Sequence, residues 1–198
     1  QQRLYADAVA QYEKALELKP NFVQALANLG WVRDRLHDPG AAIAIYKKAL
    51  ALHPDEGPVY ARMGASYMSM SQYGKAKEAY LKASELGDKR WSVLHDLGVI
   101  SEQEGQLDTA LQYYRQALRK SNSSSETHFR LGAVATLLGD GAQAITYYQQ
   151  ALKLDPDHAG SLYALAQLFL AEGKREEGEQ LIRAFIRLKE YQGGISVL

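Results

Sequence analysis

The sequence predicts an all-α solenoid, a stack of antiparallel helix pairs in place of one globular core. Three observations predict it. The pattern Ala, three residues, Tyr, two residues, Ala recurs as Ala8/Tyr12/Ala15, Ala42/Tyr46/Ala49, Ala76/Tyr80/Ala83, Ala110/Tyr114/Ala117 and Ala144/Tyr148/Ala151, each 34 residues after the one before. A hydrophobic residue followed by glycine keeps the same step at Leu29-Gly30, Met63-Gly64, Leu97-Gly98 and Leu131-Gly132. Pro20, Pro54 and Pro156 share the register, with Asp88 and Asn122 in the two slots between. One period held without insertion marks a repeat architecture, in which each unit buries its apolar face against its neighbours.

The elements follow in order. Residues 1–22 read as the second helix of a partial first repeat. A stack that begins on a lone helix exposes an apolar face, so the natural protein is expected to continue upstream. Residues 23–56, 57–90, 91–124 and 125–158 are full repeats. The last of these shows the logic of each. Apolar residues at 131, 134, 137 and 138 have helical spacing. Gly139-Asp140-Gly141 breaks that helix, because glycine tolerates the positive φ of a turn. A second helix carries Ala144, Ile145, Tyr148, Ala151 and Leu152 on one face, and Asp155-Pro156 stops it. Each unit is thus two helices of about 13 residues, roughly 20 Å long. Gly132 and Ala144 leave room for close helix approach, and Tyr148 fills the space between units.

Residues 159–192 diverge, with Ala166 in the glycine slot and Gly178, Ile182 and Phe185 in the Ala, Tyr and Ala slots. They form either a degenerate terminal repeat or a cap, followed by a tail, 193–198. The whole of 1–198 reads as a single solenoid domain. The Ser-rich stretch "RKSNSSSETHF" at 119–129 resembles a linker, yet Gly98 to Gly132 is still one period. It is therefore a turn without its proline, and Ser123 with Glu126 suits a capping box for the next helix.

The combined register resembles the tetratricopeptide repeat (TPR) family, whose pattern is W-x₂-L-G-x₂-Y…A-x₃-F…P over 34 residues. Residues 57–90 carry it as Tyr60, Met63-Gly64, Tyr67, Ala76, Tyr80 and Ala83. Residues 23–56 carry Leu26, Leu29-Gly30, Ala42, Tyr46, Ala49 and Pro54. The resemblance implies a right-handed α-solenoid, or superhelix, of about five and a half TPR units. It also implies a non-enzymatic protein–protein interaction scaffold, in which the first helix of each pair lines a concave groove for a partner's peptide or amphipathic helix. Ankyrin repeats fit less well, since T-P-L-H is absent. Pentatricopeptide repeats run at 35 and use a basic groove, which this chain lacks.

Composition agrees with a protein partner. Lys plus Arg and Asp plus Glu are both 23, so no net charge draws the chain to nucleic acid or inserts it into an anionic membrane. Hydrophobic residues make up 46%, enough for an ordered fold. No cysteine is present, which removes disulfides, thiolate metal sites and cysteine nucleophiles. No apolar run is long enough to span a bilayer. The compartment is open between cytoplasm and periplasm. His37, His53, His95, His128 and His158 form no metal-binding spacing, and His128 takes a packing slot. No phosphate loop exists, and Glu102 and Glu104 lie in a solvated helical run. The reading carries no enzyme, no metal and no cofactor.

The resemblance places groove positions at the second, fifth, sixth, ninth and twelfth residues of each unit. The candidates are Asn28 and Trp31; Arg62 and Met68; His95, Val99 and Glu102; Phe129 and Arg130; and Tyr163 and Gln167. Trp31, Phe129 and Tyr163 are aromatic anchors of the type that dominates interfaces, or else rings packed sideways on neighbouring helices. Some TPR proteins grip a chaperone's terminal carboxylates with Lys, Asn and Arg. Asn28 and Arg62 match two of those slots, but Pro58 stands where Lys should be. An asparagine ladder is also absent, the equivalent residues being Asn28, Arg62, Asp96, Arg130 and Ala164. The competing readings are end-to-end self-association, through the incomplete first unit and Leu181, Ile182, Phe185, Ile186 and Leu188, and the non-catalytic arm of a larger enzyme or secretion machine.

Overall fold

The computed structural model describes residues 2–195, which form eleven α-helices and no strand. They are α1 (Gln2–Leu18), α2 (Val23–Arg35), α3 (Pro39–Leu52), α4 (Gly57–Ser69), α5 (Tyr73–Glu85), α6 (Trp91–Gln103), α7 (Leu107–Lys120), α8 (Ser125–Leu137), α9 (Gly141–Leu154), α10 (Ala159–Ala171) and α11 (Arg175–Ile195). Two compact units divide between Lys89 and Arg90. In unit 1, α1 to α5 each pack on the next, and α2 also touches α4. In unit 2, α6 to α11 do the same, and α8 touches α10. The first helices of successive pairs therefore lie side by side, here called inner; the second helices are outer. Of the predicted tail, 193–195 continue α11 and 196–198 lie outside the described residues.

The core rests on one repeated contact. Tyr46, Tyr80 and Tyr114 are almost fully buried, and Tyr148 nearly so. Each ring lies on the glycine of its own pair. A Cβ at Gly30, Gly64, Gly98 or Gly132 would fall 2.5–2.8 Å from a ring carbon of Tyr46, Tyr80, Tyr114 or Tyr148. That is closer than carbon atoms pack, so the register of glycine and tyrosine is a steric requirement. In the last pair Ile182 stands in the tyrosine slot, and Ala166 is accepted and wholly buried. The small residue has moved to Gly178, where a Cβ would meet Leu170 Cγ at 2.7 Å.

The turn inside each pair needs one residue in the left-handed region. Gly105, Gly139 and Gly173 supply it with φ of 72°, 80° and 78°. One and two periods earlier the slot holds Ser71 (φ 57°) and His37 (φ 60°). The next helix then starts on a cap: Asp38 accepts from Ala41 N and Asp140 from Gln143 N, both at 3.0 Å.

The Ser-rich turn differs by one residue from the predicted capping box. Ser124, not Ser123, caps α8, its Oγ accepting from Thr127 N at 3.1 Å and from Thr127 Oγ1 at 2.8 Å. Glu126 reaches forward to Arg130 and His158 instead of back to the cap. Charge-assisted partners outweigh a neutral backbone N–H.

Candidate functional site

Unit 1 presents a cleft of about 470 Å³ between α2 and α4. Trp31, Arg35 and Pro39 line one side, and Arg62, Ala65, Ser66 and Ser69 the other, with Asp34 and His37 completing it. Helical spacing puts Trp31 and Arg35 one turn apart on α2, and Arg62, Ala65 and Ser69 on one face of α4. Trp31 is 43% exposed, and its ring meets Tyr5 of α1 edge-on at 6.0 Å. Arg35 donates from Nε to Tyr5 Oη at 3.3 Å and lies over that ring.

Asp34 organises the floor. Its carboxylate accepts from Tyr46 Oη at 2.9 Å and from Ser66 Oγ at 2.7 Å. Burial pushes its carboxyl above the ordinary range, against the opposing pull of Ser66, Tyr46 and Arg62. Burial, then the neighbouring Asp34 charge, pushes the Tyr46 phenol far up, so it remains a donor. Arg62 donates from Nη1 to Ala27 O at 3.1 Å. A second hollow of about 220 Å³ lies on the other side of Arg62, lined among others by Val23, Gln24, Ala27 and Pro58.

Unit 2 repeats part of this arrangement two periods on. Tyr114 Oη donates to Glu102 Oε2 at 2.8 Å, as Tyr46 does to Asp34. Arg130 Nη1 lies 3.5 Å from Glu102 Oε1, and its Nε donates to Glu126 Oε1 at 2.7 Å. His158 accepts from Ser161 N through Nδ1, which leaves Nε2–H to donate to Glu126 Oε2 at 3.2 Å. Burial pushes the Glu126 carboxyl up, but Arg130 and His158 together outweigh it and hold it below the ordinary range. His95 Nδ1 is 2.9 Å from Thr127 Oγ1; since that hydroxyl donates to Ser124, the imidazole is the donor. Burial holds His95 below the ordinary imidazole range.

The predicted site residues separate by exposure. Trp31, Tyr163 and Gln167 are exposed on inner helices. Asn28, Arg62, Met68, His95, Val99, Glu102, Phe129 and Arg130 are half-buried. Trp31 and Arg62 meet in the unit 1 cleft, while Met68 lies outside its lining. Asn28 accepts from Gln24 Nε2 at 3.1 Å. His95, Glu102 and Arg130 belong to the unit 2 network. Val99 packs on the Tyr114 cluster. Phe129 is wedged between Tyr148 and His158, at ring separations of 5.9 and 5.0 Å, and fills the space over Gly160. Tyr163 leans on Phe185 at 5.5 Å.

Arg35, His37, Pro39, Ser66 and Ser69 were not among the predicted groove residues. A signal for the first existed, since Arg35 follows Trp31 by one helical turn. His128 packs as predicted, buried, with Nε2 on Asn122 Oδ1 at 2.9 Å. Among the described residues no group of three or more His, Asp or Glu is placed to hold a metal, and no helix is long and apolar enough to cross a membrane.

Stacked helix pairs with a common period and a polar, partly open inner face define a helical-repeat solenoid. The family model described as tetratricopeptide repeat matches residues 1–57 and 62–125. A second, described as the cilia and flagella-associated protein 70 middle TPR-like domain, matches residues 94–194. The chain belongs to the tetratricopeptide repeat family, with about five and a half units. No curated protein matches it significantly. Among solved structures it is similar to Pseudomonas aeruginosa pilF, at 24% identity over 96% of this chain and 90% of that one, with a TM-score of 0.82. It is similar to YrrB, described as a TPR protein with an unusual peptide-binding site, at 22% identity over 90% and 92%, TM-score 0.76. MamA from Desulfovibrio magneticus aligns at 15% identity over 86% and 96%, TM-score 0.76. At these identities the likeness is one of fold.

Proposed function

We propose that the chain is a non-enzymatic interaction scaffold that holds a segment of a partner protein, extended or helical, on its inner helices. The observation that carries this reading is the open cleft of about 470 Å³ with Trp31 on its wall. Exposed aromatic and arginine side chains beside a preformed hollow are the usual anchors of protein recognition. Helix packing already orders the cleft walls, so binding costs little additional ordering on this side. The fold's likeness to YrrB, described as having a peptide-binding site, supports the same reading.

A peptide library displayed on phage and selected on the immobilised protein tests it. Selected peptides should lose binding to the triple variant Trp31→Ala, Arg62→Ala, Tyr163→Ala, and keep it with the outer-helix variant Lys48→Ala, Glu78→Ala. The opposite pattern, with circular dichroism unchanged in both, refutes the proposal. Self-association has weaker support. Leu4, Leu18, Ile186 and Tyr191 are exposed, but Leu181 packs on the Tyr148 cluster and Phe185 on Tyr163.

A further inference from the structure

We infer that the unit 1 cleft takes an acidic segment of a partner polypeptide, with an aromatic or long aliphatic side chain against Trp31 and a neighbouring carboxylate on Arg35 and Arg62. This rests on the proposed function and specifies the occupant. The neutral total charge conceals an uneven distribution. The inner helices of unit 1, α2 and α4, carry Arg33, Arg35 and Arg62 against one carboxylate, Asp34, a net charge of +2. Those of unit 2 carry Arg130 against Asp96, Glu102 and Glu126, a net charge of −2.

Within the cleft the cationic groups are the ones available to a ligand. Both Asp34 oxygens face protein donors, Tyr46 and Ser66. Arg33 is taken by Glu13 of α1 at 2.9 Å. Arg62 makes one hydrogen bond among the described residues, from Nη1 to Ala27 O, and a guanidinium has five N–H donors. Arg35 is exposed; Tyr5 engages its Nε and its face, which fixes the side chain and leaves its terminal nitrogens for a carboxylate. A fixed guanidinium is the better carboxylate receptor, because its fork need not be ordered on binding.

Shape separates a polypeptide from a compact metabolite. The cleft beside Trp31 and the smaller hollow beside Ala27 and Pro58 share the Arg62 side chain as a wall. An elongated ligand can therefore pass Arg62 with its apolar side chain on Trp31 and its chain running toward the second hollow.

The chain has two tryptophans, so Trp91→Phe makes Trp31 the sole reporter. Fluorescein-labelled, C-terminally amidated 12-residue peptides of Gly and Ser would carry a central Phe-Asp-Glu, Phe-Asn-Gln, Ala-Asp-Glu or Phe-Lys-Lys. Anisotropy gives Kd, and Trp31 emission gives the location. The expected result is that Phe-Asp-Glu binds about tenfold more tightly than Phe-Asn-Gln or Ala-Asp-Glu, and more tightly still than Phe-Lys-Lys. Arg35→Glu should invert the order of the acidic and basic peptides. Ala65→Glu, on an exposed position of the cleft, should abolish binding with helicity intact. If Phe-Asn-Gln or Phe-Lys-Lys equals Phe-Asp-Glu while perturbing Trp31, the acidic occupant is refuted and a groove for peptides stands. Acidic-peptide binding that survives Arg35→Glu and Ala65→Glu refutes the location. Absence of binding by all four peptides also overturns the inference, and the library selection then decides the broader reading separately.

Discussion

Gly98→Ala probes the contact on which the stack depends. The new Cβ would lie 2.5 Å from Tyr114 Cε1 and 2.6 Å from Cδ1. Tyr114 is wholly buried and tethered by its hydroxyl to Glu102 at 2.8 Å, so its ring cannot swing aside. Overpacking of this kind costs about 1–3 kcal/mol. Alanine is favoured over glycine inside a helix by about 0.8–1 kcal/mol. The net expectation is a loss of roughly 1–2 kcal/mol. The last helix pair shows how the clash is relieved, since Ala166 occurs there with Ile182 in the tyrosine slot. Tyr114→Ile alone should destabilise through a cavity by about 2–4 kcal/mol. Adding Gly98→Ala to Tyr114→Ile should then cost nothing or stabilise. Urea unfolding of the four proteins, followed by circular dichroism, gives the coupling energy. Equal effects of Gly98→Ala in both backgrounds would refute the steric reasoning.

Ser71→Gly relieves a left-handed residue at an exposed turn, so chemical unfolding should show a gain of about 0.5–1 kcal/mol after glycine's unfolded-state entropy is counted; a loss would contradict it. Ser124→Ala should cost about 0.5–2 kcal/mol as a lost cap, whereas Ser123→Ala should be nearly neutral, and the reverse order would restore the capping box predicted from sequence. Burial holds His128 and His95 below the ordinary imidazole range. For a base whose pKa is lowered by folding, the stabilising contribution is present above about pH 6.5 and is lost as pH falls through the folded value. His128→Leu, which installs the residue found at 26, 94 and 162, should flatten the decline in stability between pH 7 and 5; an unchanged slope would assign the decline elsewhere.

The repeat was legible because its determinants are steric and local. Gly98 and Tyr114 are sixteen residues apart in sequence and touch in every full pair, so the constraint is printed at each period. The caps were less legible. Ser121, Ser123, Ser124 and Ser125 offer equivalent hydroxyls, and the choice of Ser124 depends on Thr127 receiving both bonds. The inner-face positions followed from register, but their roles did not. Phe129 and Trp31 are both aromatic residues of the inner helices. His158 and Gly160 enclose Phe129, whereas Ala65 opposite Trp31 leaves a hollow. That difference lies in the facing helix. Arg35 was missed for a related reason, since its partner Tyr5 is thirty residues away on α1.

The central claim is that the inner helices bind. Hydrogen exchange of the protein with and without a library-selected peptide tests it most directly, because it locates the contact without a mutation. Added protection is predicted on inner helices, first of all across Trp31 in α2 and Arg62–Ser66 in α4. Protection confined to the outer helices α3, α5, α7 and α9 would contradict the account.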